Sequence, residues 1–81
     1  MRVRLRYFAG LRDMVGREAE TLDLPEGSSV AAARAALQDR YPAVARLLPS
    51  CAVAVNRAYV SAATPLAEDD ELVFVPPLGG G

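Results

Sequence analysis

Alternation of apolar and polar residues predicts two strands near the start of the chain. The first runs from Arg2 to Phe8, with arginines on one face and three apolar residues on the other, Val3, Leu5 and Tyr7. The second runs from Glu18 to Leu24. The residues between them have room for one or two helical turns, which we expect to end at Gly16 with a left-handed cap. This connection makes the two strands an antiparallel pair.

The next segment has the three-to-four-residue spacing of an amphipathic helix. Ser28 or Ser29 supplies its N-cap, and Pro42 ends it, since proline disfavours helical geometry in the residue before it. The predicted apolar stripe consists of Val30, Ala33, Leu37 and Tyr41. Four polar residues are expected to lie outside: Arg34, Gln38, Asp39 and Arg40.

Three more strands are predicted in the second half of the chain. Cys51 begins an alternating strand, where we interpret it as a buried small hydrophobe. A turn at Asn56-Arg57 leads to a short strand at Tyr59-Val60. The last strand, Leu72 to Val75, is apolar on both faces, which is typical of a strand in the middle of a sheet.

This order of elements predicts an α+β fold of the β-grasp (ubiquitin-like) type. We expect a mixed sheet of four to five strands around one main helix, with the last strand pairing with the first. The domain should occupy residues 1–77, followed by a flexible C-terminal tail at 78–81.

Composition excludes several classes of chemistry. The chain has one cysteine and no histidine, so we expect no metal site. It has no lysine, so we expect no Schiff base. We therefore expect the chain to have no catalytic machinery of its own. A net charge of −1 gives no sign of the excess positive charge that is typical of nucleic-acid-binding proteins. No apolar run is long enough to cross a membrane, and no signal peptide is visible, so we expect a cytoplasmic protein.

The end of the chain carries the candidate chemistry. Pro76-Pro77 stiffen the exit from the last strand, Leu78 offers one apolar anchor, and Gly79, Gly80 and Gly81 have no side chains. Such a tail can thread a narrow channel in a partner, where the terminal carboxylate would be activated as an acyl-adenylate and converted to a thiocarboxylate. The alternative is an ordinary disordered terminus.

Motifs along essentially the whole chain resemble one family. They are Phe8-Ala9, Leu11-Arg12-Asp13, Val15-Gly16, Leu24-Pro25, Val55-Asn56, Pro65-Leu66, Asp70-Glu71 and the terminal Phe74 to Gly81. The chain resembles the small, sulfur-carrying subunit of molybdopterin synthase, a ubiquitin-like β-grasp family. That family usually has glycine where this chain has Asp69, and aspartate can take the same left-handed conformation.

The resemblance implies a function and a set of partners. Gly81 would be adenylated by an E1-like activating enzyme that consumes ATP, and then thiocarboxylated by a sulfur donor system. The tail would enter the large synthase subunit through Pro77, Leu78, Gly79 and Gly80, and donate sulfur to a pterin precursor. No cofactor would be bound by the chain itself.

A tail alone is too small for a specific complex, so an apolar docking face is expected. A single helix covers one face of a sheet, and we expect the residues Phe8, Arg12, Leu72 and Phe74 to contribute to an interface on the other.

The sequence is also compatible with two other functions. A related carrier could serve thiamin synthesis, tRNA thiolation or ubiquitin-like conjugation. A β-grasp binding module with an inert tail would use none of this chemistry.

Overall fold

A computed structural model describes residues 1–77, and Leu78 to Gly81 lie outside the described residues. Along the chain, β1 is Arg2–Arg6, α1 is Ala9–Val15, β2 is Ala19–Asp23, α2 is Val30–Arg40, β3 is Ala52–Val55, β4 is Ala58–Val60 and β5 is Glu71–Val75. Two short 3-10 turns, Pro42–Val44 and Leu48–Ser50, connect α2 to β3. The predicted flexible tail falls on the residues that are not described.

The five strands form one mixed sheet in the order β2-β1-β5-β3-β4. β1 pairs antiparallel with β2 and parallel with β5, so that Leu5 lies opposite Leu72. β3 pairs antiparallel with both β5 and β4. The last strand is therefore central, as its apolar sequence predicts, and the β-grasp fold is confirmed.

The helices begin and end where local chemistry places them. Gly16 closes α1 at φ 87°, and its N–H donates to the carbonyl of Arg12 at 2.8 Å. Ser29 caps α2, its Oγ accepting a hydrogen bond from the N–H of Ala32 at 3.3 Å. α2 stops at Arg40, two residues before Pro42.

One sheet face and α2 enclose the core. Val30, Ala33 and Leu37 of α2 are fully buried against the alternating apolar residues of the strands. Cys51 is only 6% exposed, which confirms the prediction that it is a core residue. The prediction that Arg34 lies outside is wrong in part. The side chain is half-buried, with its guanidinium 5.8 Å from the centre of the Phe74 ring.

Two turns adopt left-handed backbone conformations at non-glycine residues. Asn56 and Arg57 join β3 to β4 with φ 50° and 71°, the geometry of a tight hairpin turn. Asp69 has φ 68°, as expected from its place in the turn before β5. Its carboxylate also lies 3.2 Å from Nε of Arg4, which ties this turn to β1.

Candidate functional site

The candidate site lies where β5 leaves the sheet. Because β1 and β5 are parallel, their C-terminal ends lie side by side, which brings Phe8 close to Val75 and Pro76. Pro77 is exposed at the end of the described chain. Any residue that follows Pro77 therefore starts from this edge of the domain.

Within residues 1–77 no element covers the sheet face opposite α2, and the half of this open face nearest the exit of β5 is apolar. Strand alternation places Val73 and Val75 on the open face, beside Ala54 and Ala52 of β3. Tyr59 of β4 lies opposite Ala54 and is 71% exposed. We call this surface the apolar half-face: Phe8, Ala52, Ala54, Tyr59, Val73 and Val75.

An apolar groove of about 550 Å³ borders the apolar half-face at the exit of β5. One wall contains Phe8, which is 49% exposed, and another contains Leu47 from the connection between α2 and β3. Pro76 and Pro77 complete it on the side where the chain continues. An exposed, continuous apolar surface of this kind is typical of a binding site for another molecule.

The structure corrects two of the predicted interface residues. Leu72 and Phe74 are 0% and 2% exposed, because they point to the α2 side of β5 and pack in the core. The expectation that they lie on the open face is therefore wrong, although Phe74 is among the residues that line the apolar groove. The alternate residues of the same strand, Val73 and Val75, occupy that face instead.

The far half of the open face is charged. Arg4 lies beside Glu71, with Nη1 3.7 Å from its carboxylate, and Arg6 Nη1 lies 3.9 Å from the same group. The guanidinium of Arg6 also lies 5.3 Å from the centre of the Phe8 ring, at the boundary with the apolar half-face. The open face thus changes from apolar at the exit of β5 to charged at the start of that strand.

Arg12 projects from α1 into solvent and lies 3.9 Å from Glu18. It does not line the apolar groove. A role for Arg12 at an interface stays a prediction.

A buried carboxylate that the sequence analysis did not predict lies on the other side of the sheet. The Glu20 side chain is only 6% exposed, and its Oε2 accepts hydrogen bonds from the hydroxyls of Tyr7 and Tyr41, both at 2.6 Å. Its Oε1 lies 2.7 Å from Nη1 of Arg40 and 3.8 Å from Nη1 of Arg17. We call these five residues the Glu20 cluster; it links β2 to the end of α2 and to Tyr7, the residue that follows β1.

The pKa values within the Glu20 cluster reflect this geometry. Burial acts to raise the pKa of Glu20, but hydrogen bonds from Tyr41, Tyr7 and Arg40 outweigh it and lower the pKa below its usual value. Burial and the bond to Glu20 raise the pKa of Tyr7. Glu20 is therefore an ionised carboxylate that holds its neighbours in place, and it lies on the face away from the apolar half-face.

The predicted tail residues Leu78, Gly79, Gly80 and Gly81 lie outside the described residues. No helix among residues 1–77 is both long and apolar enough to cross a membrane.

Known proteins resemble this chain over nearly its full length. Residues 5–81 match the model of the ThiS family. The molybdopterin synthase sulfur carrier subunit of Escherichia coli K12 is 35% identical over 81 residues, which cover 98% of this chain and 99% of that protein. The corresponding subunit of Chlamydomonas reinhardtii is 30% identical over 83 residues, with both chains fully covered.

Solved structures agree with these sequence matches. SAMP1 from Haloferax volcanii superposes with a TM-score of 0.87 at 25% identity, with full coverage of both chains. A chain in the complex of subunits 1 and 2 of the molybdopterin-converting factor from Helicobacter pylori superposes with a TM-score of 0.73 at 27% identity, again with full coverage. The fold, the family match and the full-length relatives together establish that this chain belongs to the ThiS family.

Proposed function

We propose that the chain is a sulfur carrier for molybdopterin synthesis, with Gly81 as the residue that carries the sulfur. Membership of the ThiS family and the similarity to sulfur carrier subunits support the carrier role. The observation that carries the proposal is the apolar half-face, because it meets the exit of β5. A partner docked there would receive whatever follows Pro77 directly at its own surface.

The chemistry proceeds through two activated forms of the terminal carboxylate. A carboxylate oxygen of Gly81 attacks the α-phosphorus of ATP on an E1-like enzyme, and pyrophosphate leaves. A sulfide ion (HS⁻) supplied by a donor system then attacks the carbonyl carbon, so that the bond to AMP breaks, a proton is lost and a thiocarboxylate remains. The β-carbon missing from each glycine leaves the carbonyl open to both enzymes.

The last step delivers sulfur to a pterin precursor inside the large synthase subunit. The Helicobacter pylori structure contains both subunits of a molybdopterin-converting factor, which supports a large-subunit partner for this chain. The large subunit supplies the catalytic side chains, while this chain supplies the sulfur and the docking surface. We place these steps in the cytoplasm.

The first test is the intact mass of the chain after incubation with ATP, an E1-like activating enzyme and a sulfur donor. We expect a shift equal to the exchange of one oxygen for sulfur, localised to the C-terminal peptide. A variant lacking Gly80 and Gly81 is the matched control and should show no shift. An unchanged mass, with an enzyme shown to activate another carrier, would contradict the proposal and favour a binding module with an inert tail.

A further inference from the structure

The cationic side chains around the exit of β5 are arginines. Arg6 lies over the Phe8 ring, and Arg46 is exposed directly before Leu47, which lines the apolar groove together with Pro77. The whole chain contains no lysine. A guanidinium stays protonated and offers only hydrogen-bond donors, whereas a lysine amine becomes a nucleophile once it loses its proton.

The one thiol of the chain is also withdrawn from solvent. Cys51 is 6% exposed, and its Sγ donates to the carbonyl oxygen of Leu47 at 3.4 Å. Burial raises the pKa of the Cys51 thiol, although the charge of Arg34 acts in the other direction. A raised pKa lowers the fraction of Cys51 that is thiolate, and the thiolate is the form that would attack an activated carbonyl.

The amino group of Met1 lies at the opposite end of the sheet. Arg4 lies opposite Glu71 in the parallel pair, so Met1 is near the start of β5 and the exit is at its end. Along the strands, roughly 23 Å separates the level of Met1 from that of Val75, at about 3.3 Å per residue. Fully extended, the six residues from Pro76 to Gly81 span roughly 20–22 Å, at about 3.3–3.6 Å per residue, which is slightly less than that separation. The Met1 amine also lies 3.9 Å from the carboxylate of Glu26.

We propose that the domain is built without an acceptor for its own activated C-terminus, so that the acyl group passes to a partner's nucleophile and never to the carrier. This inference rests on the proposed activation of Gly81. The arginines near the exit keep the positive charge that a lysine would provide, and they add no amine within reach of the tail.

Replacing an arginine with lysine at this edge would create the missing acceptor. The neutral lysine nitrogen would attack the activated carbonyl carbon of Gly81 and form an amide C–N bond. The bond to the leaving group, AMP or a thiol, would break, and the amine proton would pass to solvent. Four residues follow Pro77, and at about 3.3 Å per residue they span roughly 13 Å when extended, so an amine within that distance of Pro77 could react within the same chain.

The test uses chains carrying a chemically prepared aryl thioester at the C-terminus, so that it does not depend on any activating enzyme. Three proteins are compared at mildly alkaline pH: the natural chain, Arg46→Lys and Arg57→Lys. Arg57 is an exposed arginine in the turn at the far end of the sheet, where the tail would have to double back along β5. Intact mass and peptide mapping report the products, and circular dichroism confirms equal folding.

We expect the natural chain to give only the hydrolysed acid. Arg46→Lys should give a product lighter by one water, mapped to an amide between Gly81 and residue 46, at a rate several-fold above that of Arg57→Lys. Internal amides or covalent dimers from the natural chain would overturn the inference. An Arg46→Lys chain that yields no internal amide would also overturn the inference, because the absence of lysine near the exit would then not be what prevents self-acylation. These results can be interpreted even if the proposed enzymatic loading fails, because the thioester is prepared chemically.

Discussion

Replacing Glu20 with alanine should destabilise the domain strongly, although Glu20 is a charged residue on an edge strand. The change removes the acceptor for two tyrosine hydroxyls and the partner of Arg40. Tyr7 is only 3% exposed, so its hydroxyl would lose its partner in a buried site. An unsatisfied buried polar group costs about 1–3 kcal/mol. Loss of the ion pair with Arg40 adds about 1 kcal/mol or less, because the Arg40 side chain is 45% exposed.

We therefore expect Glu20→Ala to lower the free energy of unfolding by about 3 kcal/mol. In a domain of this size each 1 kcal/mol shifts Tm by roughly 4–8 °C, so the melting temperature should fall by about 15 °C. Urea titration and thermal melts followed by circular dichroism measure both quantities. Glu18→Ala is the matched control, because Glu18 is 83% exposed and its side chain lies 3.9 Å from Arg12. It should cost less than about 0.5 kcal/mol.

The same residue predicts a dependence on pH. The folded-state pKa of Glu20 is lowered, so its stabilising contribution is present above the unfolded pKa, about 4.3, and is lost as the pH falls through the folded value. The difference between the natural chain and Glu20→Ala should therefore shrink in acid. A Glu20→Ala chain no less stable than Glu18→Ala at neutral pH would refute the account of the Glu20 cluster.

Three further predictions concern the open face, the tail and one turn. Phe8→Asp should weaken binding of the large subunit by tenfold or more, roughly 1.4 kcal/mol, and leave Tm unchanged. Phe74→Ala should instead lower the free energy of unfolding by about 3–5 kcal/mol, because that ring is buried. Calorimetry of each variant separates the loss of binding from the loss of stability, and unchanged affinity for Phe8→Asp would remove that residue from the interface. Gly81→Ala should fold normally yet load sulfur poorly, as measured by intact mass, and normal loading would contradict the need for an unobstructed carbonyl. Arg57→Gly should stabilise the domain by about 0.5 kcal/mol, because φ 71° at this position is strained for arginine; a denaturant midpoint at or below that of the natural chain would show otherwise.

Most of the fold could be predicted from local patterns. The alternation in β1, the glycine after α1 and the serine before α2 each determine an element through chemistry within a few residues. The central place of β5 followed from its apolar composition. Its orientation was not predicted, because the predicted strand began at Leu72 and left out Glu71, the polar residue that shares a face with Val73 and Val75. The pairing of Leu72 with Leu5 agrees with that phase and places Phe74 in the core and Val75 outside.

The Glu20 cluster shows a signal that the sequence did contain. Residues 20, 22 and 24 share one face of the predicted second strand, and the leucines at 22 and 24 mark that face as apolar. A glutamate in phase with them must be buried and therefore needs donors. Its partners come from β1 and α2, however, so their identity depends on tertiary packing. Arg34 was misplaced for the same reason, since its contact with the Phe74 ring crosses from helix to sheet.

The central position of β5 has a consequence for how the domain folds. The hairpins β1-β2 and β3-β4 join strands that are close in sequence, whereas β5 pairs with a strand from the opposite end of the chain. Contacts of such long sequence separation form slowly, because the loop they close loses entropy before the contacts are gained. A two-stranded hairpin is only marginally stable alone. We therefore expect neither the β1-β2 hairpin nor the β3-β4 hairpin to be stable before β5 pairs between them. The segment that leads into the proposed sulfur-carrying end thus completes folding, and a domain whose sheet is complete enough to dock a partner already has Pro76 and Pro77 at the exit of β5.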